Sequence, residues 1–369
     1  MSRPDLRRPA ASRLARASIA VALALCAIAA SARRAAAQAP PASAAPAWHD
    51  DSHHRVRRVS TAPGVELEVL DWGGTGEALI FLAGYGNTAH VWDDFAPRFT
   101  HGHHVIGITR RGFGVSSKPA DGYDSETLAE DILAVMDELH ILRASFVAHS
   151  FGGSELNWLA AHAGRRMIKL VYLDAAFDFA EMYASLQQVP GPSPRPRTPG
   201  PDAPVSAWTA WYARFAGPGY PESEVRAMFR VDSAGRLGGQ QIVDSAQEKF
   251  MAGTARASFR QFYTPIMAIY AVPRTVREQY PWYDEMTPAE QRDAEARFAA
   301  ERRVHERQRA RFREEVHYEF IVPITGGRHY VFLSNDRDVE WRIRRFLSSS
   351  TSPRPAPRPN VRLSNWVTW

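Results

Sequence analysis

Val147-Ala148-His149-Ser150-Phe151-Gly152-Gly153 closes a short apolar run that starts at Ser145, and it opens onto the helix-like stretch Ser154–Ala163. A sharp turn from strand to helix lifts one side chain clear of the backbone, and small neighbours two positions before and after it relieve the crowding. Ala148 and Gly152 are those neighbours. A serine hydroxyl is a weak nucleophile until a base takes its proton, so a serine raised in this way points to covalent chemistry if a base arrives from elsewhere. The same turn places the Phe151 N–H at the start of a helix, where partial positive charge suits an oxyanion forming on a substrate. An x-Ser-x-Gly string is common, and Ala148 stands where the usual pattern has a first glycine. The order of the surrounding elements therefore has to decide.

Outward from Ser150, apolar strands, Gly-rich turns and helices alternate. Val65–Leu70 alternates in polarity and Asp71–Gly76 supplies a turn before the apolar run Ala78–Leu82. That run ends in Ala83-Gly84-Tyr85-Gly86, a turn able to present the Tyr85 N–H as a second oxyanion donor, and a helix is expected to begin near Thr88. His104–Thr109 reads as a strand before Arg110-Arg111-Gly112-Phe113-Gly114. Leu128, Ile132, Val135, Met136 and Leu139 recur at helical spacing over 125–140, with Asp124 or Ser125 available as cap. Lys169–Leu173 is a strand leading to Asp174, Ile266–Ala271 another, and His317–Ile324 the last before Gly326-Gly327-Arg328-His329. Short apolar strands alternating with helices imply a mostly parallel sheet covered on both faces, with chemistry at the carboxyl ends of its strands. The pattern breaks over 177–262, where Pro, Gly and aromatic residues crowd irregular helical segments, and this stretch is expected to form an inserted cap. Thr287-Pro288-Ala289-Glu290 opens a long charged helix reaching about Glu315, its arginines interleaved with acids as on a solvated face. Asp336–Leu347 closes the domain.

Six segments, Leu82–Asn87, Arg110–Ser116, Ala148–Gly153, Val171–Asp174, Pro265–Tyr270 and Gly327–Tyr330, occur in the order seen in the α/β-hydrolase superfamily. The chain resembles its esterase, haloperoxidase and proline-iminopeptidase-like branch from about Val56 to Leu347. The resemblance implies an eight-stranded, mostly parallel sheet with a mainly helical cap, Ser150 as nucleophile, His329 as its base, and Tyr85 and Phe151 as backbone oxyanion donors. Two departures are visible. Ala83-Gly84 replaces the usual His-Gly of the oxyanion turn, and Val272-Pro273-Arg274 offers no carboxylate where many relatives place the acid. Other members place it after the preceding strand, where Asp174 stands; Asp178 and Asp284 are the alternatives. The activity implied is hydrolysis of a carboxylic ester of a small, fairly apolar substrate. Amide or peptide hydrolysis by the same residues is the second reading, and a non-catalytic protein that binds small molecules in the cap pocket is the third. No cofactor is implied. Trp208, Trp211, Tyr212, Phe215, Phe259, Phe262 and Tyr263 either line the cap or pack within it.

The net charge of +5 invites a polyanion partner, but residues 1–37 hold seven arginines and one acid, which leaves the rest of the chain one charge negative. Nucleic acid is therefore not expected. Those residues have the layout of a cleavable secretory signal: arginines, an apolar run Ala17–Ala30, then Ala-x-Ala sites. Export without a lasting membrane anchor follows, into a periplasm or beyond the cell. Cys26, the single cysteine, would leave with it. Residues 38–52 read as a flexible linker, 53–347 as the folded domain and 348–369 as a disordered tail. His49, His53 and His54 lack metal-ligand spacing, so no metal site is expected.

Overall fold

The computed structural model describes residues 48–189, 193–316 and 319–350. The expected leader, most of the expected linker and all of the tail beyond 350 lie outside the described residues. The strands are β1 (Arg55–Ala62), β2 (Val65–Gly73), β3 (Glu77–Leu82), β4 (His103–Thr109), β5 (Ala144–His149), β6 (Met167–Leu173), β7 (Phe229–Val231), β8 (Leu237–Gln240), β9 (Ile266–Val272) and β10 (Glu319–Thr325). Eight of them form one sheet in the order β1-β2-β4-β3-β5-β6-β9-β10, while β7 and β8 make a separate ribbon. Every pairing across the sheet from β4 to β10 is parallel, and β2 alone runs against the others, antiparallel to both β1 and β4.

Both faces of the central strands are covered, which is why β3 and β5 read as continuous apolar runs. Ile80, Leu82 and Phe146 face a layer containing Leu128 and Ile132 of α1 (Ser125–Glu138) and Leu156 and Leu159 of α2 (Gly152–His162). Leu79, Phe81 and Val147 face the opposite layer, where Trp92, Phe95, Phe332, Ile343 and Phe346 pack. Asp124 caps α1 by accepting the Thr127 N–H at 2.9 Å. The expected helix near Thr88 is instead a pair of short 3-10 turns, Ala89–Trp92 and Ala96–Phe99, the second entered through Pro97. Strand β1 goes beyond the sequence reading. Only Val59 of its eight residues is buried, so an edge strand of this kind leaves little hydrophobic pattern.

Between β6 and β9 lie α3 (Phe179–Leu186), α4 (Val205–Ala216), α5 (Glu222–Met228), the ribbon and α6 (Ala246–Gly253). The crossover from β9 to β10 carries α7 (Val276–Gln279) and α8 (Pro288–Glu315), and α8 begins with the expected capping box between Thr287 and Glu290. Its polar surface is not wholly solvated. Ala294, Arg297, Glu301, Val304, Gln308 and Phe312 form a buried stripe at helical spacing, and Arg311 reaches Asp178 and Glu181 at 2.7 Å each. The chain closes with α9 (Val331–Ser334) and α10 (Asp336–Ser348). Lys169 donates to the carbonyls of Phe346, Leu347 and Ser349, which satisfies the C-terminal end of α10. No helix among the described residues is long and apolar enough to cross a membrane.

Candidate active site

Strand register brings the site together. Leu82 pairs with Ala148 and His149 with Leu173, so the turns after β3, β5 and β6 leave the sheet side by side. These strands straddle the point where the connections reverse direction, the place where open α/β sheets hold their ligands. Ser150 stands at φ +49°, in the left-handed region that non-glycine residues seldom occupy. Its neighbours must be small for reasons the contacts make explicit: a Cβ on Gly153 would lie 2.1 Å from the Ala175 carbonyl oxygen, and one on Gly152 2.9 Å from that of Leu82. Asp174 is also left-handed, at φ +47°, with its N–H bonded to Ile269 at 2.7 Å.

The His329 ring bridges the two. Its Nε2 lies 2.8 Å from Ser150 Oγ and its Nδ1 2.7 Å from Asp174 Oδ2. The second Asp174 oxygen accepts the Ala271 N–H at 3.2 Å, so the carboxylate is fixed on both sides. Asp174 is buried while His329 is exposed on the crevice side. The three side chains form a continuous hydrogen-bonded relay, an arrangement in which an imidazole can take a hydroxyl proton while the carboxylate holds the ring in place without being protonated itself. The alternative acids are engaged elsewhere. Asp178 caps α3 and meets Arg311 and Arg256, and Asp284 pairs with Arg277 at the surface.

His149 supports the relay from beneath. Burial and the adjacent His329 ring push it well below the usual histidine range, so it is neutral, and its Nε2–H donates to the His329 carbonyl at 3.1 Å. On the other side of Ser150, Arg110 donates to the carbonyls of Ala83 (2.8 Å) and Gly84 (3.2 Å) while paired with buried Glu155. Because a peptide unit is planar and trans, fixing the Gly84 carbonyl on Arg110 turns the Tyr85 N–H the opposite way. The turn is tight against Ser150: a Cβ on Gly84 would lie 3.1 Å from the serine Cβ. Phe151 precedes α2 and has no side-chain cap to cover its N–H end. Next along the turn, Asn87 donates to Tyr220 and Glu224 of the cap region and accepts from Tyr330, so it joins turn, cap and histidine loop.

Two crevices of about 160 Å³ each meet at Ser150, Tyr183 and His329. One is walled by Phe177, Phe179, Met182, Leu186, Ala271 and Tyr280, and the other by Gly84, Asn87, Arg195, Tyr212, Phe215 and Tyr330. Of the aromatics singled out in the sequence, Tyr212 and Phe215 reach the site, whereas Trp208, Trp211, Phe259 and Phe262 are spent on packing. The α3 side chains were not singled out, although Phe179, Met182, Tyr183 and Leu186 recur at helical spacing. Away from the site, Asp50, His54 and His90 each bring one potential ligand atom within 4.8 Å of the others. The Nδ1 atoms of both histidines already meet Asp93, at 2.9 and 3.0 Å, in a buried ion-pair network. His53 is on the Asp51 carbonyl instead, at 2.8 Å.

Residues 79–340 match the model of a family described as "Alpha/beta hydrolase family". The chain belongs to that family. Among the relatives of this α/β hydrolase is a non-heme chloroperoxidase of Streptomyces lividans, 34% identical over 120 residues, which are 32% of this chain and 44% of that protein. A 3-oxoadipate enol-lactonase of Acinetobacter baylyi is 27% identical over 215 residues, 57% of this chain and 76% of the relative. The chain spans less than half the length of the chloroperoxidase relatives it matches. Among solved structures, E-2-(acetamidomethylene)succinate hydrolase aligns over 80% of this chain and 100% of its own, with TM-score 0.57 and 18% identity, a likeness of fold.

Proposed function

We propose that this α/β hydrolase cleaves carboxylic esters through a serine nucleophile. The observation that carries the reading is the continuous relay from Ser150 Oγ to His329 at 2.8 Å and from His329 to Asp174 at 2.7 Å. In this scheme His329 takes the hydroxyl proton as Ser150 Oγ attacks the ester carbonyl carbon. The oxyanion lies against the N–H groups of Phe151 and Tyr85. The imidazolium, held in place by Asp174, gives its proton to the leaving oxygen, the alcohol departs, and Ser150 carries the acyl group. Water then attacks the acyl-enzyme with His329 again as base, releasing the acid and restoring the serine.

The small crevices and their aromatic walls support a small, largely apolar substrate, and the kinship with an enol-lactonase supports an ester over an amide. The test is labelling with a fluorophosphonate probe beside a panel of p-nitrophenyl esters and the matching anilides. Wild type is expected to label and to favour the esters, and Ser150→Ala to lose both labelling and turnover while keeping its circular dichroism. Labelling of Ser150→Ala at the wild-type rate would exclude this serine. Faster anilide than ester turnover would move the protein to the amide hydrolases, and a folded wild type that does not label would be a binding protein. Export belongs to the same proposal. N-terminal sequencing of the mature protein is expected to start within a few residues of 38; a start at Met1 would refute cleavage.

A further inference from the structure

Arg195 stands in the crevice that also holds Gly84, Ser150 and His329. Its guanidinium lies over the Phe215 ring, 5.6 Å from the centroid, and among the described residues it forms no ion pair. Arg195 is half-buried, and the fully buried arginines among the described residues are matched: Arg110 by Glu155, Arg111 by Asp131, Arg297 by Glu301. The groups around Arg195 do not supply a counter-charge. They are the phenols of Tyr330, Tyr212 and Tyr280 and a second cation, Arg297. Glu301 does not make up the difference, because its two oxygens are taken by Arg297 at 2.8 Å and Tyr280 at 3.1 Å. Of the two guanidiniums, Arg297 therefore has a carboxylate and Arg195 has none among the described residues.

A desolvated cation without a partner is costly, and burial accordingly pulls the Arg195 pKa down. The segment bearing it is nevertheless fixed in place, since the Trp211 indole N–H donates to the neighbouring Pro196 carbonyl at 3.2 Å. A held, unmatched guanidinium facing a reaction crevice is suited to bind an anion with two parallel hydrogen bonds. Resting on the ester-hydrolase reading above, we infer that the missing charge belongs to the substrate: the ester carries a carboxylate that pairs with Arg195 in the crevice walled by Tyr212, Phe215 and Tyr330. The opposite crevice, with Phe177, Phe179, Met182 and Leu186, takes the apolar remainder.

The experiment compares esters that differ in one carboxylate. The p-nitrophenyl hemiester of glutarate is set against p-nitrophenyl valerate, and 4-acetoxybenzoate against 4-methylphenyl acetate, so that the charge is placed on either side of the scissile bond. In wild type at least one anionic member is expected to exceed its neutral partner about tenfold or more in kcat/KM, mostly through KM. In Arg195→Gln that ratio falls at least tenfold, and Arg195→Lys recovers part of it. A second measurement needs no variant: benzoate should inhibit neutral-ester turnover competitively and benzamide should not, with the effect weakening in high salt. Equal kcat/KM within both pairs in wild type, a ratio unchanged in Arg195→Gln, or equal inhibition by benzoate and benzamide would overturn the proposal. Fluorophosphonate labelling of Ser150 keeps this outcome separate from failure of the hydrolase reading itself.

Discussion

Asp174 and Asp178 lie close together after the same strand and spend their oxygens differently. Asp174 holds His329 Nδ1 and the Ala271 N–H, while Asp178 holds the start of α3 and Arg311. Replacement by asparagine separates the two roles. Asp174→Asn should lower kcat by about 10⁴, because the amide favours the wrong imidazole tautomer. Asp178→Asn should leave kcat within a few-fold and lower the unfolding free energy by about 1–3 kcal/mol, read as a lower urea midpoint. Steady-state kinetics and urea titration of both variants check this, and a large kcat loss confined to Asp178→Asn would reverse the assignment. The nucleophile turn offers a parallel comparison. A Cβ at position 153 meets a carbonyl oxygen at 2.1 Å and one at 152 meets its neighbour at 2.9 Å, so Gly153→Ala should destabilise more than Gly152→Ala. The reverse order in urea midpoints would contradict the contact geometry.

At the scale of elements, the parts readable from sequence are those whose constraint is local. The turns after β3, β5 and β10 demand glycine or a lone special residue, and the order of such turns carries the fold. The apolar runs of β3 and β5 announce strands buried on both faces. Other features depend on contacts distant along the chain. Strand β1 shows one buried residue, α8 hides arginine and glutamate in its packed stripe, and Arg195 sits among prolines where nothing nearby marks it. The docking of α5 belongs to this second group. Glu224 is fully buried and accepts from the Asn87 amide, the Thr88 N–H and the Thr88 hydroxyl, three donors from the turn beside Ser150. Burial outweighs them and pushes its carboxyl up to about 8. Glu224→Ala would leave those three donors without an acceptor. It should lower stability by about 1–3 kcal/mol and reduce kcat/KM as the turn loses its anchor. Thermal melts and ester kinetics unchanged from wild type would show that α5 docks by apolar packing alone.

For the molecule as a whole, the buried network of His54, Asp93, His90 and Glu68 fastens residues near 50 to the sheet and, through Ser223, to the cap region. Asp93 and Glu68 raise His90 from its ordinary 6.5 to about 10 against the pull of burial, and Asp93 is held well below the usual carboxylate range. His90 thus keeps its proton in the fold over a pH range where the unfolded chain has lost it. Its contribution is complete below about pH 6.5 and disappears as pH climbs through 10. Urea titrations of wild type should therefore show stability declining across that window, and His90→Gln should be weaker at neutral pH with a flatter alkaline profile. A wild-type profile as flat as that of the variant would show that the proton is not held. The left-handed backbone at Ser150 touches the protein as a whole in another way. Glycine visits φ +49° freely and serine does not, a difference on the order of 1–3 kcal/mol. On the proposed mechanism a Ser150→Gly chain should be inert and yet melt higher than its parent, so that selection for heat tolerance alone would steadily discard the hydroxyl on which that chemistry depends.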